Sequence, residues 1–175
     1  MLSLSEMVQE GEVCDRPVPQ VDDEDEILYP QANSLEKVLD VVKALRVSGM
    51  TVYGLVNAGI VNSSRQARYY YNAGAFLGFC YRRGDFFYPT DLAEELNRVS
   101  EDEKKETFAA MVLANERVGS IFTGVFRFAD KEARVSWIEK QIAPNIVAKA
   151  TLRRRASCLH AWVVWLQQNL RKIKG

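Results

Sequence analysis

The sequence predicts a mainly α-helical chain with one small β-hairpin: a winged helix-turn-helix followed by a second helical subdomain. Three observations predict it. Apolar residues recur at helical spacing through most of the chain after residue 33. A tight turn around Gly59 separates two helical stretches. Residues 79–88 switch to an aromatic, strand-like run split by Gly84-Asp85. A helix-turn-helix followed by a hairpin is the winged helix-turn-helix plan.

The first helix starts at Ser34, an N-cap. Leu35, Val38, Leu39, Val42 and Leu45 follow on one face, and Gly49 is the stop. Thr51 caps a short second helix with Val52, Leu55 and Val56, ending near Gly59, where a positive φ suits the turn. Ile60 supplies the apolar residue between the helices. A longer helix runs from about Ser63 to Leu77 and ends at Gly78. Phe79–Arg83 and Phe86–Tyr88 read as paired strands around the Gly84-Asp85 turn, and Pro89 should end the ladder. Thr90 caps a helix over Asp91–Asn97 with Leu92 and Leu96 facing inward.

The second half is also helical. Ser100 and Glu103 have capping-box spacing, so a helix is expected over Glu101–Arg117, burying Phe108, Met111, Val112 and Val118. The apolar run 119–129 should cross the core. Another helix follows from about Asp130 to Ile142, broken by Pro144. From Thr151, Leu152, Ala156, Leu159, Val163, Leu166 and Leu170 define one long helical face. Trp162 and Trp165 project from different faces, one into the core and the other against the N-terminal half. The half could itself be a degenerate winged helix, with Asp130–Ile142 leading and Thr151–Leu170 as its recognition helix.

With 175 residues, 47% hydrophobic and 26% charged, the chain is neither disordered, collagen-like nor a disulfide scaffold. It has no run long enough to cross a bilayer and no secretory signal pattern. Cys14, Cys80 and Cys158 are read as free thiols in a reducing compartment. The expected location is therefore cytoplasmic, at the nucleoid.

Net charge is zero, but its distribution is not even. Residues 1–35 carry nine acidic side chains and one basic one, Arg16, while the other 140 carry 22 basic and 14 acidic. The expected organisation is an acidic, flexible tail over 1–33, a winged helix-turn-helix over 34–99, and a helical subdomain over 100–175. A basic body suits an anionic partner. The run Asp22–Glu26 could fold back over that body as an autoinhibitory cover.

The third helix carries the candidate chemistry. With Ala67, Tyr70 or Tyr71, Gly74 and Leu77 turned inward, Ser63, Ser64, Arg65, Gln66, Arg68, Tyr69 and Asn72 are left for a DNA groove. Arginine takes guanine bidentately, asparagine and glutamine pair with adenine, and hydroxyls reach phosphate. Arg82 and Arg83 at the hairpin add flanking backbone contacts. Thr151, Arg153, Arg154 and Arg155 open the last helix. Three arginines there oppose the helix dipole, which points to an anionic partner or to acids of the same chain. The bland alternative for each set is a solvated polar face.

No catalytic or metal site is expected. His160 lies on an apolar helix, no Cys/His set has zinc spacing, and no phosphate-binding or nucleophile-elbow motif occurs. Asp91 with Glu103-Lys104-Lys105 loosely fits a nuclease pattern, but both acids fall at helix starts, where acids are favoured anyway. No cofactor is expected.

The helix Arg65-Gln66-Ala67-Arg68-Tyr69-Tyr70-Tyr71-Asn72-Ala73, ending Phe76-Leu77-Gly78, with Tyr88-Pro89-Thr90-Asp91-Leu92 after it, resembles the winged-helix DNA-binding domain that accompanies restriction-modification proteins. Ala150–Ser157 followed by Ala161–Leu166 is similar to a C-terminal helix found in the same context. Gly74 and Cys158 depart from the pattern. The resemblance implies sequence-specific recognition of double-stranded DNA, as a recognition or accessory component beside a nuclease or methyltransferase partner. The alternatives are a winged-helix transcriptional regulator and a protein-interaction module; a homodimer is compatible with each.

Overall fold

A computed structural model of the chain describes residues 29–146 and 148–170. The acidic run Asp22–Glu26, Cys14 and the proposed autoinhibitory cover lie outside the described residues. The described chain is mainly helical, with one two-stranded antiparallel sheet.

The first half follows the expected order: α1 (Leu35–Ala44), α2 (Val52–Asn57), α3 (Ser64–Phe76), β1 (Cys80–Arg83), β2 (Phe86–Pro89) and α4 (Asp91–Arg98). Three caps named from the sequence form, and of Asn62, Ser63 and Ser64, which all offer a cap for the longer helix, Ser63 is the one used. Ser34, Thr51, Ser63 and Thr90 each accept, through the side-chain oxygen, a backbone N–H three residues on. Gly59, in the turn between α2 and α3, has φ +73°, a conformation costly for any residue with a Cβ. Two details differ from expectation. Pro89 stays in the pairing, opposite Cys80. It has no N–H to give, but Thr90 next to it donates to the Phe79 carbonyl at 3.0 Å, so contact between the strands continues past it. Met50 also joins the sheet edge, exchanging two backbone hydrogen bonds with Phe87 at 2.7 and 2.8 Å. The hairpin is thereby tied to the loop that leads into α2.

The second half holds α5 (Glu101–Ala114), α6 (Glu116–Val125), α7 (Lys131–Ile142), a single 3-10 turn over Ala143–Asn145, and α8 (Lys149–Leu170). The helix expected from Glu101 to Arg117 breaks at Asn115. Its Oδ1 accepts the Arg117 and Val118 N–H groups, capping α6, while its Nδ2 donates to the Phe76 carbonyl at 3.2 Å. The run 119–129 is thus mostly helical, with Val118, Ile121, Gly124 and Val125 buried. The capping box at Ser100 is not made: its hydroxyl donates to the Glu103 carboxylate at 3.1 Å instead of accepting a backbone N–H. The degenerate second winged helix is not seen, since the described residues of this half contain no strand. Instead α7 packs against α8, and Arg153 near the start of α8 reaches both Glu132 and Glu139 of α7.

One hydrophobic core runs through both halves. Trp162 of α8 is fully buried, packs near Phe76 of α3, and donates to the Ala32 carbonyl at 2.7 Å. Trp165 reaches the N-terminal half as well, donating to Glu36 at 2.9 Å. Residues 29–32, expected as the end of a flexible tail, are joined to this core: Tyr29 and Ala32 are buried in it, and their carbonyls accept from Arg155 and Trp162 of α8. An ion cluster adds to the join. Glu101 accepts from both Lys104 and Lys43 at 2.8 Å, which holds its carboxyl down at about 2.

Candidate nucleic-acid interface

Helix α3 turns the expected faces in and out. Ala67, Tyr70, Tyr71, Ala73 and Gly74 are buried; Ser63, Arg65 and Arg68 are exposed; Ser64, Gln66, Tyr69 and Asn72 are half-buried. Gly74 is explained by its neighbour, because a Cβ there would sit 3.1 Å from the Cys80 sulfur. Two of the polar residues serve the helix itself. Ser63 Oγ accepts from Gln66 N at 3.2 Å, and Gln66 Oε1 accepts from Asn62 N, one residue before the cap, at 3.1 Å. Their side chains are occupied in holding the first turn. Arg65 lies along its own helix: Nε donates to the Tyr69 hydroxyl at 2.8 Å and the guanidinium stands 5.6 Å from the ring centre.

The inner face fixes how α3 is aimed. Tyr71 donates its hydroxyl to the Thr51 carbonyl at 3.1 Å, and its ring stacks on Phe87 with centroids 3.9 Å apart and planes 3° apart. One side chain therefore joins α3 to the start of α2 and to the hairpin. Burial pushes the Tyr71 phenol above its usual pKa and the Cys80 thiol up to about 12, so both stay neutral and structural. Cys80 donates to the Tyr71 carbonyl at 3.3 Å.

Arg82 and Arg83 are exposed at the end of β1. Arg82 Nε donates to the Gly84 carbonyl at 2.8 Å and so helps close the turn. Residues 45–90 together contain five arginines (Arg46, Arg65, Arg68, Arg82 and Arg83), no lysine, and one acid, Asp85. Four of those arginines are among the sequence candidates; the structure adds Arg46, which is exposed, and Tyr53, which is 67% exposed in the first turn of α2. The signal for Tyr53 was available. The Thr51 cap sets the helix start, and a residue two places from the inward Leu55 lies on the outer side.

The arginines at the start of α8 are differently placed. Arg153 bridges two acids of α7, with Nη1 to Glu139 at 2.8 Å and Nη2 to Glu132 at 2.6 Å. Those carboxylates raise the guanidinium pKa further. Arg155 donates to the Tyr29 carbonyl, and Cys158 donates to the Gln31 carbonyl at 3.1 Å, which accounts for that cysteine. Arg154 alone of the three is exposed, and Thr151 is half-buried. Of the two readings of this helix start, Arg153 follows the one in which acids of the same chain offset the dipole cost, while Arg155 is held by a backbone carbonyl.

Asp91 and Glu103 sit in the first turns of α4 and α5. Among the described residues, no group of three or more His, Cys, Asp or Glu is placed to hold a metal ion. His160 is buried, with no hydrogen-bond partner for Nε2 among the described residues. No described helix is long and apolar enough to cross a membrane.

A family model described as a domain of unknown function (DUF7226) matches residues 37–171, and the chain belongs to that family. No curated protein and no solved structure matches it.

Proposed function

We propose that this member of the DUF7226 family binds double-stranded DNA without acting on it chemically, with α3 in the major groove and the hairpin on the flanking backbone. The observation that carries the reading is the segregation of charge. Over residues 45–90 five arginines face one acid, and Arg65, Arg68, Arg82 and Arg83 are all exposed on the helix–hairpin unit. A unit so predominantly basic lets a polyanion approach at little like-charge cost. Arg65 and Arg68 read base edges, with Tyr69 and Asn72 beside them; Arg82, Arg83, Arg46 and the Tyr53 hydroxyl meet phosphates. Ser63 and Gln66 contribute by holding the first turn. Arg154 is an outlying phosphate contact.

The finer reading, a recognition or accessory component of a restriction-modification or related DNA-defence system, rests on the resemblance of the 65–78 and 150–166 segments. A transcriptional regulator would use the same interface. A protein-docking role is favoured by Val47 and Tyr53, which are 78% and 67% exposed.

The test is anisotropy titration of labelled duplex at several salt concentrations. Binding should weaken by orders of magnitude between ~50 and ~200 mM salt. Arg65→Ala should relax sequence preference, and Arg154→Ala should weaken all sequences alike with a salt slope smaller by about one. Salt-insensitive binding, or wild-type behaviour in both variants, would overturn the reading.

A further inference from the structure

We propose that the outward face of the hairpin is a stacking platform for unpaired DNA bases, so that the chain also engages single-stranded DNA beside a duplex. The inference rests on DNA being the ligand and adds a second mode of contact that α3 does not supply.

The register divides the hairpin into two faces. Cys80, Phe87 and Pro89 are buried on the inner one. The pairs Tyr81↔Tyr88 and Arg83↔Phe86 share the outer one. Tyr81 and Tyr88 stack at 5.5 Å between centroids with planes 22° apart, and Phe86 lies 6.4 Å from Tyr88. Three aromatic rings thus form a row that ends at the tip, where Phe86 is 44% exposed. The inner face already supplies the hairpin's packing, through Phe87 on Tyr71. On the outer face Tyr88 also packs over Gly49, where an added Cβ would sit 2.7 Å from its ring, and Tyr81 and Tyr88 are half-buried, so Phe86 at the tip is the ring of the row left open to a ligand.

The chemistry of the row selects the occupant. Aromatic rings gain from π-faces, and in a duplex the base faces are hidden in the stack, leaving edges and backbone. An unpaired base offers its face, and stacking of this kind tolerates any sequence. The flanks select against an ordinary protein partner: exposed Arg83 pairs with Phe86 at the end of the row, exposed Arg46 lies three residues before Gly49, on which Tyr88 packs, and the single acid of residues 45–90, Asp85, lies in the turn. A backbone of phosphates matches that border; a mixed-charge protein surface does not.

The experiment is anisotropy titration of the full chain with labelled oligo-dT, oligo-U and duplex at one fixed salt. Wild type should bind oligo-dT. Phe86→Ala should weaken it roughly 5- to 150-fold, the range expected for one lost stacking contact, with duplex affinity unchanged. Phe86→Trp should restore it, and Phe86→Leu, which keeps the apolar bulk without a ring, should not. Failure of oligo-dT to bind, or equal binding by wild type, Phe86→Ala and Phe86→Leu, would overturn the platform; if duplex still bound, the function proposed above would stand. Loss of binding to both ligands would overturn both. Binding of oligo-U ten-fold or more tighter than oligo-dT would overturn the assignment to DNA.

Discussion

Two sets of arginines look alike in the sequence and end in opposite circumstances. Arg65 and Arg68 stand on the outer face of α3 in a stretch with almost no acid nearby in sequence, whereas Arg153 and Arg155 at the start of α8 are drawn inward by Glu139, Glu132 and the Tyr29 carbonyl. The first set faces solvent. The second set fastens α7 and the residue 29–32 segment to α8. A run of arginines at a helix start therefore does not by itself identify a phosphate site; the partners offered by the neighbouring helix decide it.

The largest expected effect lies where the two regions meet. Trp162→Ala should cost about 3–5 kcal/mol, since the indole is fully buried and its loss leaves both a cavity and an unpaired Ala32 carbonyl. Thermal unfolding followed by circular dichroism should show a single transition at lower temperature. Two separated transitions would mean that the halves do not share a core.

The next effect sharpens the contrast directly. Arg153→Ala should lower the melting temperature and leave duplex affinity alone. Arg68→Ala should do the reverse, costing about 1–3 kcal/mol of binding at a base contact with no change in melting. If both variants lost affinity equally, the division between structural and ligand-facing arginines would fail.

The smallest expected effect concerns pH in the second region. Burial first, then Arg134 and Lys131, hold the His160 pKa below its ordinary 6.5. The unfolded chain takes up a proton near 6.5 that the folded chain resists. His160 therefore costs no stability above that value, and stability falls as pH drops below it. Melting temperatures at about pH 7 and about pH 5.5 should differ more for wild type than for His160→Leu. Equal differences would remove His160 as the cause.

Local chemistry was the legible part of the fold. Ser34, Thr51, Ser63 and Thr90 cap because each needs only an N–H three residues on, and the Gly84 turn needs only its own neighbours. The break at Asn115 was hidden because an apolar run follows it, and its second partner, the Phe76 carbonyl, is 39 residues away. Distance in sequence also hid the partners of Arg153 and Arg155, at separations of 14 to 126 residues. On α3 the inward and outward faces were readable from spacing. The closing of the first turn by Ser63 Oγ on Gln66 N and by Gln66 Oε1 on Asn62 N is a local feature that facial spacing alone does not reveal.

Tyr71 gives the helix–hairpin unit a fixed gauge. Because one ring is clamped to Phe87 and its hydroxyl to the Thr51 carbonyl, α3 cannot tilt without carrying the start of α2 and the β2 strand with it. The spacing between the backbone positions that carry Arg68 and Arg83 is accordingly set by the fold, with β1 held to β2 by the hairpin pairing. A ligand whose charges are pitched differently must bend to fit, and the cost of that bending falls on the ligand.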